Sequence, residues 1–193
     1  MDEDSEAIRD NSVRVTFLRL LLIDDHQLLT EAVAHCLCAS NDLWVAARCT
    51  TDDPNLTEVV AQVHPDVIAL DVEQLGAEAG PTTARLAAAA PAACIVALTD
   101  SQDPRKAVAA ARAGVVAWVP KQGHLVDFVA TVRAARRGHA VFPPDLLGAV
   151  LRDLRADAHR YRCRMPPPPH VAPRLAEQRR PVQPVRGTHR HHH

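Results

Sequence analysis

The chain has 193 residues, a net charge of -1 and a hydrophobic content of 47%, with aromatics at only 3%. That is room for one domain and an extension, built on a core of Ala, Val and Leu. Nothing approaches the ~20 apolar residues of a membrane span; the acidic start Met1 to Asp10 has no apolar signal core, and the five cysteines form no CxxC pair, so the expectation is a cytoplasmic chain with reduced thiols.

Residues 1–16 are polar and expected to fray. Leu18 to Ile23 is a continuous apolar run broken only by Arg19, and it ends in Asp24-Asp25. Such runs belong to strands covered on both faces, as in parallel sheets. A helix is predicted from about His26 to Cys38, with Leu29, Val33, Cys36 and Leu37 on one stripe. Leu43 to Cys49 is a second strand. Asp53-Pro54 pairs an acid at the N-cap with proline in the first turn and predicts a helix start, which Pro65 ends.

The third strand is Asp66 to Asp71, four apolar residues closed by an acid. Glu73 to Gly80 is predicted as a loop and Pro81 as the start of an Ala-rich helix running to Ala90. Cys94 to Thr99 is a fourth strand. Asp103-Pro104 repeats the cap-plus-proline start, and Gly114 is placed to close that helix. Val115 to Val119 is a fifth strand, followed by Pro120-Lys121. A helix from about Leu125 to Arg137 completes five strands alternating with five helices. Short alternating connections mean parallel strands with right-handed crossovers and helices on both faces. There is no GxGxxG and no Walker motif, so nucleotide binding is not supported.

Past Gly138 the pattern changes. Leu147, Val150, Leu151 and Leu154 sit at helical spacing after Phe142-Pro143-Pro144, predicting a short linker helix over 141–156. From Arg155 onward nine Arg stand against two acids, with a four-proline run at Pro166 to Pro169, while the rest of the chain is acidic. Residues 157–193 are therefore expected to be a disordered Pro/Arg/His-rich tail. Such asymmetry points to nucleic acid or an acidic surface. No ordered element is visible in the tail to enter a DNA groove, so DNA binding is doubtful. The terminal histidines read as composition.

In an open α/β sheet, ligands bind beyond the carboxyl ends of the strands. Strand one delivers Asp24 and Asp25 there, strand three Asp71, strand four Thr99 and strand five Lys121. In a 2-1-3-4-5 sheet these groups converge. Three carboxylates repel unless a cation sits among them, and a hard ion such as Mg²⁺ suits them. A lysine and a threonine hydroxyl opposite supply charge and a donor for phosphoryl oxygens. A carboxylate in line with a phosphoryl donor is a nucleophile that forms an aspartyl phosphate.

These residues at these spacings resemble the receiver domain of two-component response regulators, and the phrases Leu22 to Leu28 and Ala113 to Lys121 resemble its NarL/LuxR-type subfamily. The resemblance covers about Leu18 to His139. It implies a flavodoxin-like doubly wound (βα)5 receiver over residues 17–140. It also implies that Asp71 is the phosphoacceptor, with Thr99 and Lys121 holding phosphoryl oxygens. Mg²⁺ would be held by Asp24, Asp25, Asp71 and the backbone carbonyl of Glu73. Thr99 and Trp118 would be the switch residues, a sensor histidine kinase the phosphoryl source, and pairing between copies a means of output. No enzymatic activity is expected beyond self-phosphorylation of Asp71 and its slow reversal.

The chain departs from the subfamily in four places, one of them the setting of Lys121 between Pro120 and Gln122. The loop after Asp71 lacks the usual proline, Asp100 stands where a small residue is usual, and the C-terminal helix-turn-helix of such regulators is not visible. Two other readings stand beside this one, the first motivated by Asp100 and the altered loop, the second by the acid at the strand tip. One is a receiver acting without phosphorylation as a protein- or ligand-binding module. The other is an aspartyl-nucleophile phosphohydrolase, which needs an acid-donating Asp two residues after Asp71, where this chain has Glu73.

Overall fold

The computed structural model describes residues 17–164; the expected frayed start and residues 165–193 of the expected tail lie outside the described residues. Five strands, β1 (Leu18–Ile23), β2 (Leu43–Cys49), β3 (Val67–Asp71), β4 (Cys94–Thr99) and β5 (Val115–Pro120), form one parallel sheet. Its order is β2-β1-β3-β4-β5, the order that the receiver resemblance implies. Helices α1 (Gln27–Leu37), α2 (Leu56–Val63), α3 (Ala79–Ala89) and α4 (Pro104–Arg112) form the four crossovers, and α5 (Leu125–Arg136) and α6 (Pro144–Arg164) follow β5.

Side chains of a strand alternate between faces, and here both faces are covered. Leu21, Ile23, Ile68, Leu70, Ile95 and Ala97 pack in one core with Leu56, Val60 and Leu86. Leu20, Leu22, Val67, Ala69, Val96 and Leu98 pack in the other with Leu37, Phe128 and Val132. All five residues of β3 are buried. That double burial is why the run preceding Asp71 carries no period-2 polar alternation. It also holds the strand tips, and therefore their carboxylates, in fixed register.

Several boundaries differ from the sequence expectation, for local reasons. Asp53 accepts the amide of Asn55 at 2.8 Å in a turn ahead of α2, so that helix starts at Leu56 rather than at Pro54. It closes where His64 enters the left-handed region at φ +48°, because the residue before Pro65 is disfavoured in the right-handed helical region. The predicted loop after Asp71 is a helical turn, Val72–Leu75, and a 3₁₀ turn, Gly76–Glu78. Gly76 makes the junction at φ +51°, which favours glycine. Helix α3 begins at Ala79, and Pro81 fits in its first turn, where the missing amide has no helical partner to lose.

The largest difference is α6. It runs to Arg164, beyond the predicted 141–156, so residues 157–164 are helical rather than tail. Apolar periodicity ends near Leu154, but charge continues the contact. Arg112 on α4 makes a two-pronged pair with Asp153 at 2.7 and 3.0 Å and reaches Asp157 at 2.7 Å. Arg160 pairs with Asp157 one turn earlier. Leu146 and Val150 are buried against the core that contains Trp118, and burial of such side chains stabilises by roughly 1.5–3 kcal/mol each. The chain enters this helix through Val141, which bridges to the outer side of β5.

Candidate functional site

Asp71 ends β3 and caps the helical turn that follows. Its Oδ1 accepts the amide of Glu73 at 2.9 Å and, more weakly, that of Gln74 at 3.4 Å. The side chain is fully buried. Its other oxygen, Oδ2, is held by the ammonium of Lys121, which lies just beyond the end of β5. The same ammonium stands 2.9 Å from Oδ2 of Asp24. This buried oxygen is paired with that charge without a hydrogen bond of good geometry.

Two buried carboxylates and one lysine thus form a compact charge cluster at the carboxyl edge of β1, β3 and β5. Burial acts to lower the lysine's pKa. Hydrogen bonds and charge from Asp71 and Asp24 outweigh it and hold the pKa above its ordinary value. Lys121 therefore stays an ammonium.

His26 completes the cluster. Its amide donates to Asp24 Oδ1 at 2.8 Å, which folds the chain back over the acid. Its ring Nδ1 then lies 2.9 Å from that oxygen, 4.0 Å from Asp71 Oδ2 and 3.3 Å from Lys121 Nζ. Asp24, His26 and Asp71 each offer a ligand atom, all within 4.8 Å of one another. This set of two carboxylates and an imidazole fits a divalent cation.

Asp25 is not brought into that cluster. It is exposed, and its two oxygens take the amide of Thr51 at 2.7 Å and its hydroxyl at 2.8 Å. The main-chain carbonyl of Glu73 accepts the Gly76 amide.

The side chain of Glu73 carries a contact that the sequence did not signal. Its Oε1 accepts the hydroxyl of Thr99, and its Oε2 holds Lys106 of α4 at 2.9 Å. These partners, Thr99 first, hold the Glu73 carboxyl below its ordinary range. Thr99 is buried, and its hydroxyl also accepts the amide of Ser101 at 3.0 Å. The carbonyl of Ser101 in turn accepts the indole N–H of Trp118 at 3.1 Å. Trp118 is buried and stacks on Phe142, with ring centroids 6.4 Å apart and planes 22° from parallel. Asp100 is exposed on the rim of the cleft beside His26, Glu73 and Lys121.

Of the residues expected at the site, the structure brings Asp24, Asp71 and Lys121 together, puts Thr99 beside them through Glu73, and links Trp118 to Thr99 through Ser101. His26, Ser101, Lys106 and Phe142 were not foreseen. Only His26 had a signal, an imidazole adjoining the acid pair. Among the described residues, no helix is long and apolar enough to cross a membrane.

Residues 20–133 match the family described as response regulator receiver domain. The chain is 27% identical over 138 residues to the transcriptional regulatory protein LiaR of Bacillus subtilis, covering 72% of this chain and 65% of that one. It is 23% identical over 147 residues to the response regulator protein VraR of Staphylococcus aureus, covering 75% and 68%. The chain therefore spans just under two thirds of LiaR's length. A two-component response regulator of the LuxR family from Aurantimonas sp. shares the fold, with a TM-score of 0.62 and 22% identity over 72% of this chain and 99% of that one.

Proposed function

The chain belongs to the response regulator receiver domain family, and from this we propose that it accepts a phosphoryl group on Asp71 and passes the change to its C-terminal helix. The observation that carries the reading is the state of Asp71. One oxygen is fixed by the Glu73 amide, and the other faces Lys121 in the cleft. The fixed oxygen aims the free one. In the reaction that oxygen attacks phosphorus, the new O–P bond forms, and the bond to the donor, a phosphohistidine of a sensor kinase or a small acyl phosphate, breaks with its electron pair.

Lys121 then moves from the carboxylate to a phosphoryl oxygen, a point charge that follows the developing anion. Asp24 and Asp71 would hold Mg²⁺, with Asp25 reaching it only by leaving Thr51. Bound Mg²⁺ supplies charge neutralisation for the phosphoryl oxygens.

Readout begins at Thr99. Its hydroxyl leaves Glu73 for a phosphoryl oxygen, which carries along the Ser101 backbone and the indole N–H bound to it. Trp118 packs on Phe142 and beside Leu146, so α6 is the first element to feel the change. In this reading the output is a changed pairing between copies or a changed partner contact, serving transcriptional control in the cytoplasm. Incubating the chain with acetyl phosphate and Mg²⁺ and resolving the product on a phosphate-affinity gel tests the first step. A shifted band that disappears in Asp71→Asn is expected; no Asp71-dependent band sinks the reading.

A second reading is a receiver that acts without phosphorylation. It is favoured by Glu73, whose carboxylate already occupies the Thr99 hydroxyl and Lys106. It wins if Asp71→Asn leaves partner binding unchanged and beryllofluoride produces no spectral change at Trp118.

A further inference from the structure

We propose that His26 is a nitrogen ligand of the cation at Asp24 and Asp71, and that this makes the site select Mn²⁺ and similar transition-metal ions over Mg²⁺. The inference rests on the reading that a divalent cation serves Asp71.

The argument starts from ligand supply. Asp25, the second acid of the pair, has both oxygens engaged by Thr51 and lies outside the cluster. His26 stands inside it, held over Asp24 by its own main-chain hydrogen bond. Its Nδ1 lies 2.9 Å from Asp24 Oδ1 and 4.0 Å from Asp71 Oδ2. Around an ion with bonds of about 2.1 Å, adjacent ligand atoms are about 3.0 Å apart and opposite ones about 4.2 Å. The observed separations fit one adjacent and one opposite pair. Oδ2 of Asp24 is buried, with the Lys121 ammonium 2.9 Å away but no hydrogen bond of good geometry, so it keeps a lone pair for an ion.

The ligand types then set the preference. Carboxylates and water suit Mg²⁺, which demands near-ideal octahedral oxygen coordination. An imidazole nitrogen raises affinity for first-row transition metals and adds little for Mg²⁺. Two carboxylates and one imidazole therefore favour Mn²⁺ and its heavier neighbours. Lys121 does not close the site. It is the counter-charge of the two acids in the ion-free arrangement, and a divalent ion that takes over that role displaces the ammonium towards the cleft.

The test is a titration of the full chain with Mn²⁺ and with Mg²⁺, read by the electron paramagnetic signal of Mn²⁺ and by Mg²⁺ competition. His189, His191, His192 and His193 are replaced by Ala throughout, so the terminal histidines cannot contribute. The expected result is tighter binding of Mn²⁺ than of Mg²⁺, with a ¹⁴N coupling on bound Mn²⁺. His26→Ala should abolish the coupling and weaken Mn²⁺ about tenfold while changing Mg²⁺ less than twofold. His26→Gln, which keeps the main-chain bond to Asp24 and offers an oxygen, should retain Mg²⁺ and lose the coupling. Binding of both ions without ¹⁴N coupling, unchanged in His26→Ala, overturns the His26 assignment and leaves the phosphoryl-acceptor reading standing. Binding of neither ion removes the cation site, and the metal-assisted reading of Asp71 falls with it.

Discussion

The carboxylate of Glu73 holds the hydroxyl of Thr99, and its second oxygen is paired with Lys106 at 2.9 Å. A carboxylate is thus seated on the group that a phosphoryl oxygen would need, two residues after the acid that would carry it. The proposed phosphorylation of Asp71 would have to displace this anion. Glu73→Gln removes the charge and keeps the size. Its expected effect is faster phosphorylation of Asp71 by acetyl phosphate, by about tenfold, the equivalent of about 1.4 kcal/mol in barrier. Stopped-flow fluorescence of Trp118 in a Trp44→Phe background checks it. An unchanged rate means that Glu73 is a bystander.

Lys121 is the only lysine or arginine that the structure sets between the buried carboxylates of Asp24 and Asp71 among the described residues. Lys121→Met leaves two buried acids facing each other without the ammonium that joins them. Removing one partner of a buried ion pair typically costs about 3 kcal/mol or more. Urea denaturation in chelator should show a loss of this order, and millimolar Mg²⁺ should restore part of it. A variant as stable as the parent in chelator contradicts the cluster described here.

Trp118 and Phe142 join the sheet to the C-terminal segment. Phe142→Ala should redden the Trp118 emission, since the indole gains water. It should also destabilise the chain by about 1 kcal/mol from the aromatic pair alone. It should further reduce the spectral response of Trp118 to beryllofluoride. An unaltered response would show that the indole reports on the site without α6.

Leu146 is almost fully buried in the same core as Trp118. If α6 is an integral part of the domain, Leu146→Ala lowers stability by about 2–4 kcal/mol in a single cooperative transition. A separate, earlier transition confined to α6 would show instead that the helix docks as an independent unit.

The outer turns of α6 are fastened by charge. Arg112 hydrogen-bonds Asp153 and, with its charge, holds that carboxyl below its ordinary 3.8. A depressed folded pKa contributes stability that is present above the ordinary value and lost as pH falls through the folded one. Amide-exchange protection of residues 153–160 should therefore hold at neutral pH and decline below about pH 4. Arg112→Ala should reproduce that loss at neutral pH and leave the exchange of β3 unchanged. Acid-insensitive protection would assign the docking to Leu146 and Val150 alone.

The sequence by itself determined the sheet and the residues at its carboxyl edge. Apolar runs ended by Asp24, Asp71 and Thr99, with Lys121 just past the fifth, are local signals, and alternation with helices leaves few ways to arrange them. Parallel strands in one sheet then bring their tips together whatever the side chains do beyond. What only the tertiary structure decided are pairings between distant residues through side-chain rotamers. Asp25 faces Thr51, 26 residues on, instead of Asp71. Glu73 reaches Lys106 across 33 residues, and α6 continues past its apolar stripe because Arg112 lies 41 residues away, opposite Asp153. Periodicity records which face of an element is buried. It carries no record of which charge a surface carboxylate will find, and here those choices set what surrounds Asp71 and which element lies against Trp118.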